Sequence, residues 1–291
     1  MPDSGRIFVI LDPTMMNQPS LIMGETIAKD YLSSGSTDVT LHLYVCIAEN
    51  TVRRPPDMDE QTAHAEEQAR IEKWVERMAE RGRSLGITVV TEVEIKPNWR
   101  EAITDAVARQ PCTVAVKNMT NQSRLTRLVR ETSDWKLLRD TVCPLLLVKS
   151  YARRDIRKVL VAIKHRTDAD IYETANDRLL KTGRGIAESL GAELYVMTAY
   201  EAEDYPDRQK FADRCGLPRN RVRASIGAPE AVIASVAQEL QPELVVIARV
   251  GKPGSQKKVG RTAEKVIDGL YCNILVLPMT DRDRPSSAER P

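Results

Sequence analysis

Apolar residues along this chain fall into two alternating spacings. Short apolar runs read as strands buried in a parallel sheet: RIFVILDP (6–13), VTLHLYVCIA (39–48), ITVVTEVEI (87–95), TVAVK (113–117) and CPLLLVKS (143–150). Between them, helical spacing predicts helices over 18–32, 59–85, 99–110 and 133–141. The helix over 59–85 is long and heavily charged. Its expected apolar stripe is Ala65, Ala69, Ile71, Trp74, Val75, Met78 and Leu85, with Gly86 closing it.

The order then repeats. Strands are expected at 158–165, 192–201, 221–227, 243–250 and 273–278, with helices over 171–190, 229–240 and 262–270. Pro229 opens one helix, and Ala263, Val266, Ile267 and Leu270 share a face of the last. This is an internal duplication. IFVILDP matches VLVAIKH at an offset of 152, and TVCPLLLVK matches LYCNILVLP at an offset of 129. The second copy is therefore 23 residues shorter, and the loss is assigned to its second helix, where EDYPDRQKFADRCGLPRN (203–220) replaces the charged run. Domains are expected at 1–150 and 151–280, with 281–291 a disordered tail. Alternating strands and helices imply right-handed crossovers and a mainly parallel sheet with helices on both sides. Ligands in such sheets sit beyond the carboxyl ends of the strands, where strand order reverses.

Composition narrows the function. Of 291 residues, 42% are hydrophobic and 29% charged, as in a soluble globular protein. A net charge of +2 and 4% aromatics give no support to nucleic-acid binding. No apolar run approaches 18 residues and none leads the chain, so membrane insertion is not expected and the expected location is cytoplasmic. The five cysteines form no CxxC and read as reduced structural residues, and three histidines offer little for a metal site. Trp99 and Trp135 are expected in the core or at the domain junction, and Arg124, Arg127 and Arg130 on a solvated helical face.

The second half carries the most readable chemistry. VVIARV, GKPGSQKKVG and RTAEKVIDGL form a strand, a glycine loop and a helix N-terminus, an arrangement that suits phosphate. The candidate ligand residues are Gly251, Gly254, Gly260, Arg261 and Thr262, and Lys252, Lys257 and Lys258 add positive field.

At VGRTAEKVIDGLYCNILVLP (259–278), TSDWKLLRDTVCPLLLVK (132–149) and IFVILDP the chain resembles the universal stress proteins, more narrowly their tandem, E-type members. The resemblance implies two tandem Rossmann-like α/β domains of the adenine-nucleotide alpha hydrolase type, each a five-stranded, mainly parallel sheet flanked by helices. It also implies a stress-response role. Some members bind ATP through G-x2-G-x9-G-[S/T], with an Asp at the end of strand one near the nucleoside. Both halves depart from that pattern. Arg261 stands at the Ser/Thr position with Thr262 one place on. Eight residues separate Gly251 from Gly260, and only five follow Gly254, so the loop is short on either alignment. Lys164 replaces the Asp. The first half keeps Asp12, but 117–135 contains no glycine, so close backbone approach to a phosphate is lost. Asp12 then reads as nucleoside contact or, more simply, as a turn cap. With no acidic residue from 251 to 263 and no G-x4-GK[ST], efficient catalysis is not expected. The expected protein acts by ligand binding and association, and no cofactor is assigned beyond ATP or another adenine nucleotide at the second half. The alternative is an ATP-binding switch with slow hydrolysis. Monomer and homodimer both fit.

Overall fold

The computed structural model describes residues 4–119, 133–149, 155–166, 170–250 and 261–279. The chain forms two compact units, Met1–Ser150 and Tyr151–Pro291.

In the first unit the strands are β1 (Ser4–Ile10), β2 (Asp38–Ala48), β3 (Thr88–Lys96), β4 (Val114–Met119) and β5 (Leu145–Lys149). They lie in the order β3-β2-β1-β4-β5, every pairing parallel. The helices are α1 (Pro19–Ser33), α2 (Glu60–Ser84), α3 (Trp99–Arg109) and α4 (Ser133–Asp140). Asp59 caps α2 by accepting from the Thr62 N–H at 2.9 Å, and Gly86 follows its end at φ 77°. The buried stripe of α2 is Ala63, Ile71, Val75, Ala79 and Gly82. Ala65 and Ala69, expected on that stripe, are exposed. Extending the helical period back from Ile71 lands on positions 68 and 64, which leaves both alanines off the face. Trp99 is likewise only half-buried, with the Arg100 guanidinium 4.6 Å from its ring centre.

The second unit repeats the plan with β6 (Lys158–Ala162), β7 (Glu193–Tyr200), β8 (Val222–Ile226), β9 (Leu244–Val250) and β10 (Asn273–Met279), in the order β10-β9-β6-β7-β8. All its pairings are parallel. Its helices are α5 (Asp170–Leu190), α6 (Arg208–Cys215), α7 (Pro229–Leu240) and α8 (Arg261–Gly269). α6, of 8 residues, stands where the first unit has the 25-residue α2, which locates most of the shortening. Strand order reverses between β1 and β4 in one unit and between β6 and β9 in the other.

Two glycines fix where the first helix of each unit crosses the sheet. A Cβ at Gly24 would stand closer than 3.0 Å to Val9 Cγ2, and one at Gly183 closer than 3.0 Å to Val161 Cγ2. The next neighbours are Leu41 and Leu194, so the two crossings are equivalent. They are not equivalent in sequence. Gly24 is the sixth residue of α1, whereas Gly183 is the fourteenth of α5. α5 therefore extends about two turns further past the carboxyl end of its strand before it crosses.

One expectation about cysteine is overturned. Cys112 and Cys143 form a disulfide, with Cα atoms 6.2 Å apart, while Cys46, Cys215 and Cys272 are buried and outside any disulfide. The bridged pair stands at the entries to the neighbouring strands β4 and β5, a proximity that a separation of 31 residues in sequence conceals.

Candidate functional site

The residue two places after the first strand is Asp12 in one unit and Lys164 in the other, and the backbone around them is the same. The Leu11 N–H donates to the Tyr44 carbonyl at 2.9 Å, and the Ile163 N–H to the Met197 carbonyl at 3.0 Å. Each following residue is then bracketed by a primary amide. Gln18 Oε1 accepts from the Asp12 N–H at 3.1 Å while its Nε2 donates to the Asp12 carbonyl at 2.6 Å. Asn176 Oδ1 accepts from the Lys164 N–H at 3.0 Å while its Nδ2 donates to the Lys164 carbonyl at 2.7 Å. Both amide side chains are buried, at 5% and 2% exposure, so their own polar atoms need these backbone partners.

In the first unit the described side chains at the crevice are committed to hydrogen bonds with their neighbours. Gln18 Nε2 also donates to the Met15 carbonyl at 2.8 Å. From β4, Asn118 Oδ1 accepts from the Ser20 N–H at 2.7 Å, so a neutral side chain takes an N–H in the first turn of α1 that an anion would otherwise use. Ser20 Oγ donates to the Ile10 carbonyl at 3.2 Å, and Asn118 Nδ2 lies 3.6 Å from Met15 Sδ. The Asp12 carboxylate accepts from the Thr14 N–H at 2.9 Å and from Thr14 Oγ1 at 2.6 Å. That is the turn-capping use of Asp12.

The second unit opens at the same place. A cavity of about 270 Å³ lies over the carboxyl ends of β6 and β9, with the N-terminal turns of α5 on one side and α8 on another. Its walls include Ala162, Met197, Ile233, Ile247 and Val266. The two extra turns of α5 contribute Tyr172, Ala175 and Asn176, residues that α1 has no length to supply. The Lys164 ammonium lies 4.0 Å from the centre of the Tyr172 ring, a cation–π contact. Arg249, near the end of β9, lines the opposite side. A second cavity of about 860 Å³ adjoins the first, sharing Lys164, Ala199 and Pro229 and adding His165, Arg166, Tyr200 and Asp204. Burial, with help from Arg214 and Arg166, holds the His165 imidazole below its ordinary pKa, which keeps it neutral near pH 7. Lys265 of α8 pairs with Glu230 in the first turn of α7, tying together two helices that border the cavity.

Of the sequence-predicted ligand residues, Gly251, Gly254 and Gly260 lie outside the described residues, as do Lys252, Lys257, Lys258 and the Arg124, Arg127 and Arg130 run. Arg261 and Thr262 are the first two residues of α8, and the structure describes their backbone alone. Gln18, Asn118, Tyr172, Asn176 and Arg249 are site residues that sequence reasoning misses. The signal present was an amide in the chain following strand one of each half, but at six residues' distance in one and twelve in the other it forms no motif. Among the described residues no cluster of His, Cys, Asp or Glu is arranged to hold a metal, and no helix is long and apolar enough to cross a membrane.

A parallel sheet in the order 3-2-1-4-5, with a crevice at the reversal point, defines a Rossmann-like α/β protein. The chain belongs to the universal stress protein family. It is 30% identical over 215 residues to the universal stress protein E homolog of Haemophilus influenzae, covering 64% of this chain and 68% of that one. Against universal stress protein E of Escherichia coli the identity is 27%, covering 94% and 93%. No family model matches. Among solved structures, a universal stress protein from Archaeoglobus fulgidus superposes with a TM-score of 0.72 at 16% identity, covering 96% of this chain and 97% of that one. A functionally unknown protein from Pseudomonas aeruginosa PAO1 gives the same TM-score at 22% identity, covering 96% and 94%. These two likenesses concern the fold.

Proposed function

We propose that this chain is a cytoplasmic stress-response protein of the tandem type that works by binding and association, not by turnover, with the second unit as its ligand-bearing half. The observation that carries the reading is the contrast at one backbone position. In the first unit the described residues at the crevice, Gln18, Asn118 and Asp12, are committed to hydrogen bonds with neighbouring backbone, whereas the second has a cavity of about 270 Å³ with Lys164 and Arg249 among its lining residues. Ligand sites of α/β folds occupy this place. The ligand is a phosphate-bearing small molecule, with an adenine nucleotide as the first candidate, its phosphates directed toward Gly251, Gly254, Gly260, Arg261 and Thr262. The family membership and the basic character of that loop support this orientation.

The test is chromatographic and thermal. Protein purified without added nucleotide is heat-denatured, and the supernatant is resolved by anion exchange beside a thermal-shift titration with millimolar ATP. Retained or stabilising nucleotide supports the reading, and nucleotide that turns to ADP on standing would convert it to a slow switch. No retained nucleotide and no shift with any phosphate compound would reject the second unit as the ligand-bearing half.

A further inference from the structure

Among the described residues, the charged groups that line the second unit's cavity are both positive, and its interior is apolar. We infer that the cavity holds a small acid with a compact apolar body, its anionic head seated on Lys164, in preference to the adenine nucleotide that the family membership makes the first candidate. This rests on the reading that the cavity is the ligand site, and it narrows the chemistry that the site accepts.

The first argument is the exchange of Asp12 for Lys164 at one bracketed backbone position. A carboxylate there accepts hydrogen bonds and suits the O–H and N–H groups of a nucleoside. An ammonium donates three and accepts none, so what faces it must be an acceptor, best an oxyanion. The second argument is commitment. Among the described residues Asn176 is the one amide lining the cavity, and its oxygen and nitrogen are both bonded to the Lys164 backbone. No carboxylate of those residues lines this cavity. The third is register. β6 pairs with β9 through Val161↔Val246, and three residues further along the chain in each case stand Lys164, just past the end of β6, and Arg249, within β9, so two cations flank the reversal point.

Size and shape agree. About 270 Å³ lies just under the roughly 300–1,000 Å³ typical of ligand pockets, which gives room for a small apolar body. Lys164 is also shared with the wider polar cavity, so its ammonium stands where the apolar slot meets water. An amphipathic acid placed there keeps its head hydrated and its body dry. The Tyr172 ring under the ammonium holds the cation in place before the ligand arrives.

The experiment is isothermal titration of the full chain with octyl phosphate, octanoate, octanol, adenosine and ATP. Lys164 is exposed, so Lys164→Met and Lys164→Asp are expected to fold, which far-UV circular dichroism checks. Ala199→Leu narrows the slot from a wall shared by both cavities. In the wild type the octyl anions bind at least tenfold more tightly than octanol or adenosine, and the order of the two anions says whether the head is a phosphate or a carboxylate. Lys164→Met weakens both anions at least tenfold and leaves octanol unchanged, and Lys164→Asp weakens them further. Adenosine or ATP binding more tightly than the octyl anions, with the preference lost in Ala199→Leu, overturns the acid assignment while keeping the cavity as the ligand site. Affinities that Ala199→Leu leaves untouched overturn the cavity itself, and so does an absence of binding by every probe.

Discussion

Replacing Gly183 by alanine isolates one contact that positions the site. The new methyl would lie closer than 3.0 Å to Val161 Cγ2, and Val161 is fully buried in β6, so the side chain has no free space to yield into. Overpacking of this kind costs about 1–3 kcal/mol. Alanine in a helix interior recovers about 1 kcal/mol of backbone propensity over glycine. The net expectation is a loss of about 1 kcal/mol, or a fall of roughly 4 °C in the melting temperature of a unit this size. Gly185 provides the control, because a methyl added there, two residues along the same helix, would meet no atom within 4 Å. Gly185→Ala should stabilise by about 0.5–1 kcal/mol. The propensity gain cancels between the two variants, so their difference of about 1–3 kcal/mol reports the helix–strand contact alone. Urea unfolding followed by far-UV circular dichroism measures it. Tryptophan fluorescence serves as a reference for the other unit, since Trp74, Trp99 and Trp135 all lie between Met1 and Ser150. Equal stabilisation by both substitutions would refute the close crossing, and with it the reason α5 extends past its strand to bring Tyr172 and Asn176 to the cavity.

Gln18→Ala leaves part-buried backbone groups of Asp12 and Met15 without their partner and should cost about 1 kcal/mol, read as a lower urea midpoint by tryptophan fluorescence. Breaking the disulfide with Cys112→Ser, or with reductant, frees a loop spanning 31 residues in the unfolded chain and should lower the stability of the first unit by about 3–4 kcal/mol; thiol titration before and after reduction confirms the state compared. His42 supplies a pH dependence. Burial, above all, holds its pKa below the ordinary value, with Arg6 adding to the effect and Glu92, 2.9 Å from Nε2, opposing it. Arg6 Nη1 lies 3.0 Å from Nδ1, and a guanidinium can only donate, so Nδ1 accepts and the ring is neutral. The unfolded chain therefore takes up the proton first: stability from this residue is full above about pH 6.5 and is lost as pH falls from there through the folded pKa. His42→Phe should flatten that part of the urea-midpoint profile, and an unchanged slope would show that another group carries it.

The two levels of organisation divided unevenly between sequence and structure. Strand runs such as IFVI and NILVLP, the amphipathic helices and the doubled order were legible because burial on a sheet or a helix face imposes a local period. The exchange of Asp12 for Lys164 was legible for the same reason, since the ends of matching strands can be aligned. What each residue does there was not. The constant offset of 152 sets Gly24 opposite Asn176, whereas packing sets it opposite Gly183, because the helix sits differently along its strand while the whole crossover lengthens only from 27 residues to 30.

Composition and periodicity thus determined by themselves that the chain makes two parallel sheet-and-helix units and in what order strands and helices follow one another, though not the residue at which each strand ends, since β1 stops at Ile10 and β6 at Ala162. Only the tertiary structure decided that Gln18 and Asn118 bond to the backbone at one crevice, that Asn176 and Tyr172 line the cavity at the other, and that Cys112 meets Cys143. The reason is physical: hydrophobic period acts between neighbours in the chain, while the filling of a crevice depends on which side chains distant segments bring to the same few ångströms.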